Sequence, residues 1–491
     1  MIVWLLLVLL GAVTYLILQR RVAYRTRTPI WILWLVLMTP AIIWLGWLVV
    51  YGENAPIPPI LAIAPFAVCP IIYWFLVQWG RRSLPRTEVV ETQEEEDESE
   101  SASESELPET EPRPLTQEEE NQLRDCFSWT VYPLHGIDYR PQAVICRGQL
   151  RAAPDVAYHK IETKIHECFG DRFLVVLQED FKGKPFFVLV PNPQHQRQRD
   201  DLSQPAIALA LAAITLFTTT VMGTQIAGLE IDNVFVNPVL LIDGLPYAIA
   251  LMAILGIHES AHYLCARYYQ IEVTLPYFIP FPAFLGTFGA FIQMRSPMPN
   301  RKVLFDISLA GPVAGFVLTV PLLLWGLHNS TVVDLPEEGG LLTIEALNPR
   351  FSFLLTILSK IALGSQLTAQ GAIALHPVAV AAYIGLIATA FNLMPVGQLD
   401  GGHLVHAMFG QRTAVMVGQF ARFSLLALSF LYRDWFLLAL FLFIMPILDN
   451  PALNDLSELD DRRDFCGLVA IAVLLSIVLP APSFVTQWLN F

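Results

Sequence analysis

Apolar residues fall along this chain in long blocks, separated by polar stretches of very different length. Three blocks come first, near 2–18, 30–51 and 57–79. Four more lie near 205–223, 244–268, 303–327 and 377–397, and a last group near 413–432, 435–448 and 465–482. A helix needs roughly 20 apolar residues to cross the hydrocarbon layer. The pattern therefore predicts an α-helical polytopic membrane protein of about ten transmembrane helices, with eight to ten compatible with the blocks. The polar interval between the two sets follows other rules. Residues 88–115 are acidic, with Ser and Pro, and predict a disordered linker. Thr116 with Glu119 reads as a capping box that opens a helix, and Pro154–Phe169 reads as a second helix closed by Gly170. Stretches 143–146, 173–177 and 186–190 read as strands. Together they predict a small α+β soluble insert over 116–198, on the cytoplasmic side.

These patterns divide the chain into an N-terminal three-span region (1–87), the acidic linker (88–115), the insert (116–198), a membrane core (203–410) and C-terminal helices (411–491). Composition agrees. Of 491 residues, 54% are hydrophobic, too many for a soluble protein of this size. The net charge of −14 is concentrated in the run from Glu88 to Glu111, which holds twelve acids and no base. The remainder is close to neutral, with no basic patch to suggest a nucleic-acid partner. Arg20, Arg21, Arg25 and Arg27 follow the first block, and Arg81, Arg82 and Arg86 follow the third. The positive-inside rule puts both clusters on the cytoplasmic side. Alternation then places 224–243 outside and puts 269–302, 401–412 and 449–464 inside. The six cysteines form no C-x-x-C pair, and Cys126, Cys146 and Cys168 read as buried thiols in a reducing compartment.

The chemistry is concentrated at His258-Glu259-Ser260-Ala261-His262, inside the apolar stretch 251–266. On a helix the two histidines lie one turn apart on one face, where two imidazoles can grip a zinc ion and Glu259 can take a proton from water. Ionisable groups at mid-span cost roughly 2.5–3.5 kcal/mol each on insertion scales, so a function is expected of them. A zinc site needs a third protein ligand. Pro395 and Gly397 interrupt a later apolar run, and Asp400, His403 and His406 follow at the same predicted depth. Any of these three fits the third position. As an alternative, Asp400 fits a helix cap. Segment 275–295 is rich in Pro, Gly and Phe and too broken for a spanning helix. Part of it, 288–294, predicts a strand after the turn at Gly286 and Gly289, and either plugs the bundle or offers an edge. Gly311, Pro312 and Gly315 read as small-residue helix packing.

H-E-x-x-H in one span, with Asn392-x-x-Pro395 and Asp400-Gly401 in a later one, resembles the site-2 protease family of intramembrane zinc metalloproteases. The resemblance covers roughly 205–410. It implies one catalytic zinc held by His258, His262 and Asp400, with Glu259 as general base. It also implies that Asn392 holds the substrate or the developing oxyanion, and that the strand in 275–295 pairs with an unwound substrate. His403 and His406 become bystanders or supports. Single-span or membrane-anchored proteins are the implied substrates and the lipid bilayer the implied setting. Within that family the chain is similar to a plant and cyanobacterial branch, the ethylene-dependent gravitropism-deficient and yellow-green proteins. This implies a plastid or cyanobacterial membrane, thylakoid or plasma, with the active site towards the cytoplasmic or stromal side. Gly148-Gln149-Leu150-Arg151 stands where that branch has G-N-L-R, Gln replacing Asn, and also reads as a plain strand-end turn. Two other classes compete with this reading: a catalytically silent scaffold of the same fold, and a cation-coupled transporter, which predicts an internal repeat.

Overall fold

The computed structural model describes residues 115–491 apart from 141–142, 181–182, 193–203, 230–236, 283–284, 335–346, 368–370, 432–435, 483–484 and 487–491. Before these it describes 28–51 and isolated positions between 11 and 79. The predicted acidic linker and most of the first and third predicted spans lie outside the described residues. The chain divides into two units, Met1–Leu107 and Pro108–Phe491.

In the first unit, helix α1 (Ile30–Tyr51) matches the second predicted span. The second unit begins with the soluble domain. Helix α2 (Gln117–Cys126) starts at the predicted capping box: Thr116 Oγ1 accepts from the Glu119 backbone N–H at 3.3 Å, and the Glu119 carboxylate accepts from the Thr116 N–H at 2.9 Å. Strands β1 (Leu134–Arg140) and β2 (Ala143–Gly148), helix α3 (Pro154–Phe169), and strands β3 (Phe173–Glu179) and β4 (Pro185–Pro191) complete it. The sheet is antiparallel in the order β1-β2-β4-β3. Leu123, Tyr132, Val144, Ile161, Ile165, Leu177, Phe187 and Leu189 fill the space between sheet and helices. Strand β1 alternates too weakly to read from sequence. The Gly148-Gln149-Leu150-Arg151 stretch runs on past β2 without the expected turn, the Gln149 and Arg151 amides donating to the Pro133 and Val131 carbonyls.

The core follows as α4 (Pro205–Ile226), α5 (Leu241–Tyr268), the hairpin β5 (Tyr277–Pro280) and β6 (Thr287–Phe291), and α6 (Arg301–His328). Strand β7 (Thr331–Asp334), helix α7 (Phe353–Leu363) and strand β8 (Gly371–Ala374) come next. Five more helices end the chain: α8 (Pro377–Asn392), α9 (Asp400–Phe409), α10 (Gln411–Leu431), α11 (Phe436–Ile444) and α12 (Asp461–Val478). Backbones approach closely where α4 meets α5: a methyl on Gly223 or Gly244 would overlap the facing backbone. Leu304, Phe305, Leu323, Leu355, Leu386, Val396, Leu404, Leu442 and Leu474 form one apolar core joining α6 to the later helices.

Part of the expected set of about ten spanning helices falls within the described residues. Among the described residues three helices are long and apolar enough to cross a membrane: Pro205–Ile226, Pro238–Tyr268 and Arg301–His328. Pro395 ends the seventh predicted span early, because the residue before a proline is pushed out of helical geometry and α8 stops at Asn392. Pro446 likewise follows the end of α11 at Ile444. The strand expected at 288–294 falls at Thr287–Phe291, so Gly289 lies within it. Cys168, in the last turn of α3, is exposed, not buried as expected.

An extended stretch after α11 ties the soluble domain to the core. Strand β3 is an outer strand, and 453–455 pairs with it: Leu177 N–H donates to Leu453 O at 2.7 Å, and Asp455 N–H donates to Leu177 O at 3.0 Å. The other side of this stretch pairs with the approach to α6, Leu453 N–H donating to Met298 O at 2.8 Å and Asn454 N–H to Pro299 O at 3.0 Å. Asn454 Nδ2 also donates to Asp155 at 2.8 Å, at the start of α3.

Candidate metal centre

Helix α5 carries His258 and His262 on one buried face. Their ring planes are nearly perpendicular, and the two Nε2 atoms lie 3.2 Å apart. Helix α6 supplies the wall. A methyl on Gly311 would overlap the His262 ring, and one on Gly315 would come within 3.2 Å of His258 Nδ1. These glycines read as packing in the sequence. They do pack helices, but what they admit is the pair of imidazoles. The backbone also fixes a tautomer: His262 Nδ1–H donates to Ile307 O at 2.7 Å, so Nε2 keeps its lone pair.

The third group comes from the broken region after α8. Gly397 sits at φ +53° with Pro446 O against its Cα, so the chain turns where a side chain would clash. Gly401 packs against the Leu393 carbonyl. The turn brings α9 back towards α5 with Asp400 as its first residue. Leu399 is the N-cap, so Asp400 does not cap the helix. Asp400 Oδ2 lies 3.5 Å from His258 Nε2 and 3.3 Å from His262 Nε2. One ligand atom from each of the three residues falls within 4.8 Å of the others. Two imidazole nitrogens and a carboxylate oxygen suit zinc and leave a position open for water or substrate, so the donor set fits the ion. Glu259 is half-buried beside the pair, next to the backbone of Ile292 just past β6. Asn392, the last residue of α8, places Nδ2 3.2 Å from His258 Nε2. All five expected residues therefore converge on one locus.

His403 and His406 do not join them. They turn to a second cluster that sequence reasoning missed. His403 Nδ1 lies 2.8 Å from Asp449 Oδ1, and His406 Nδ1 donates to Asp449 Oδ2 at 2.6 Å. On its other side His406 Nε2 lies 2.9 Å from Asp455 Oδ1. His406, Asp449 and Asp455 are all buried. Asp455 belongs to the same stretch that pairs with β3. The support of the Asp400 helix is thus continuous with the seat of the soluble domain.

Comparison with known proteins covers both parts. The model of peptidase family M50 matches residues 246–431, and that of the EGY3 middle domain matches 121–198. The chain is 31% identical over 344 residues to a probable zinc metalloprotease EGY2, chloroplastic, of Arabidopsis thaliana, covering 69% of this chain and 60% of that protein. It is 32% identical over 347 residues to the Oryza sativa subsp. indica protein of the same name, covering 69% and 62%. A probable zinc metalloprotease EGY1, chloroplastic, of Arabidopsis thaliana is 30% identical over 372 residues, covering 69% and 66%. The chain spans about six-tenths of the length of the first of these relatives. No solved structure matches the chain.

Proposed function

Because this chain belongs to the site-2 protease family, peptidase family M50, we propose that it is a zinc metalloendopeptidase that cuts membrane-anchored proteins within or beside their transmembrane segments. The convergence of His258, His262 and Asp400 on one point beside Glu259 carries this reading. Those three residues would hold the metal. When bound, zinc supplies the Lewis acidity that activates water and polarises a peptide carbonyl.

The protein's own groups divide the remaining work. Glu259 accepts the proton lost by the attacking water and returns it to the leaving amine. The Asn392 amide, held at the end of α8, donates to the carbonyl oxygen as charge develops there. The His262–Ile307 hydrogen bond keeps Nε2 turned to the site through turnover. A substrate helix hides its carbonyls in its own hydrogen bonds, so it must unwind first. Strand β6 ends beside Glu259 and gives an unwound segment an edge to pair with. Helix-breaking residues near the cut are therefore expected in substrates. The chloroplastic names of the relatives and the three apolar helices support residence in a plastid or cyanobacterial membrane, with the remaining predicted spans completing a multi-pass protein.

The test uses the full-length chain purified in detergent with a single-span substrate. We expect about one zinc per chain and cleavage that a chelator stops and added zinc restores. In Glu259→Gln zinc should remain while cleavage vanishes. A protein that holds zinc but cuts nothing would favour the silent scaffold, and one without stoichiometric zinc would end the protease reading.

A further inference from the structure

The soluble domain contains a second piece of chemistry, well away from the metal ligands in sequence. Cys126 ends α2 and Cys168 lies in the last turn of α3, and their Sγ atoms are 3.5 Å apart. The two sulfurs differ in setting. Cys126 is buried, its thiol within 3.3 Å of Gln122 O as well as next to Cys168. Cys168 is exposed. We propose that Cys126 and Cys168 form a reversible dithiol–disulfide site, oxidised by an anionic small-molecule disulfide of the glutathione type.

A disulfide sets its sulfurs about 2 Å apart, so the two sulfurs, already in contact at 3.5 Å, have about 1.5 Å to close. The reagent has a way in. A groove of about 530 Å³ reaches Cys126 and is lined by Lys160, Lys164 and Glu167 among others, its two lysines outnumbering the one carboxylate. The order of attack follows from exposure. The Cys168 thiolate attacks one sulfur of the external disulfide and expels a thiolate, leaving a mixed disulfide on Cys168. Cys126 then loses its proton and attacks the Cys168 sulfur, expelling the second thiolate. Two protein thiols are oxidised by two electrons, the external disulfide becomes two thiols, and these take up the two protons. Burial, and then the hydrogen bond to Cys168, push the Cys126 thiol up to about 12, so closure is slower than capture and speeds up with rising pH. Closure would brace α3, whose first turn reaches Asn454 through Asp155.

The experiment treats the full-length protein with glutathione disulfide, then denatures, alkylates and digests it for peptide mass spectrometry. The expected result is a linked peptide pair holding Cys126 and Cys168, absent after dithiothreitol and absent in Cys168→Ser. Because Cys168 is exposed, that variant keeps the domain folded. A stable glutathione adduct on Cys168 without a link, a Cys126–Cys146 link, or full alkylation of all three thiols would each overturn the proposal.

Discussion

Helix α9 touches two His–carboxylate clusters, and they use the same residue types for opposite ends. At its first residue, Asp400 joins His258 and His262 so that three lone-pair donors converge on one point. One to two turns on, His406 has a carboxylate on each ring nitrogen, Asp449 on one side and Asp455 on the other. Both nitrogens then donate, which only an imidazolium can do. In the second cluster donors and acceptors are spent on one another. In the first the lone pairs stay free for a cation. The comparison shows that a count of histidines and acids does not identify a metal site. What identifies it is whether the lone pairs meet or are spent on one another.

Removing the functional groups should give the largest effects. Glu259→Gln keeps all three ligands, so zinc should stay near one per chain while the cleavage rate falls by roughly 10²–10⁴-fold or more. Asp400→Ala should lose stoichiometric zinc, read by metal analysis of the purified protein. Asp449→Ala should behave in the opposite way. It leaves buried His406 and half-buried His403 without their shared carboxylate, and breaking a buried pair costs about 3–5 kcal/mol. A denaturation curve should show that loss while zinc remains bound. If Asp400→Ala keeps its zinc and Asp449→Ala loses it, the assignment of the two clusters is reversed.

A smaller effect tests the wall of the first cluster. Gly311→Ala drives a methyl into the His262 ring, and overpacking of this kind costs about 1–3 kcal/mol. Zinc affinity should fall by up to about a hundredfold. Gly315→Ala meets His258 only at 3.2 Å and should cost less. Equal effects, measured by competition with a chelator of known affinity, would mean that the glycines merely space the helices.

The sequence revealed one cluster and hid the other for a physical reason. His258 and His262 are one turn apart, so the period of a helix alone aligns them. Asp400 was narrowed to one of three by depth along the chain and singled out by the family's motif. Asp449 and Asp455 come from an irregular loop 43 and 49 residues beyond His406, and no period connects a loop to a helix. The elements divide in the same way. Pro154–Phe169 was readable from its proline start, its apolar stripe and Gly170. Helix α7 and the β7–β8 pair were not read, because they are short and lie between long apolar blocks that dominate the pattern.

The smallest effect probes whether the two clusters are independent. Asn454 sits where the soluble domain, the approach to α6 and the second cluster meet, and its Nδ2 donates to Asp155 at 2.8 Å. Asn454→Ala removes this hydrogen bond and the weaker one its Oδ1 accepts from the Leu456 N–H at 3.3 Å, and leaves the backbone pairing with Leu177 and Pro299 in place. The expected loss is about 1 kcal/mol of stability. It should be visible as faster proteolysis at the boundary of the soluble domain, with zinc content unchanged. The first cluster draws its ligands from α5 and α9, and its wall from α6, so loosening the insert should not reach it. A fall in zinc affinity in Asn454→Ala would show that the stretch 453–455 transmits the seating of the soluble domain to Asp400, and that the two clusters act as one.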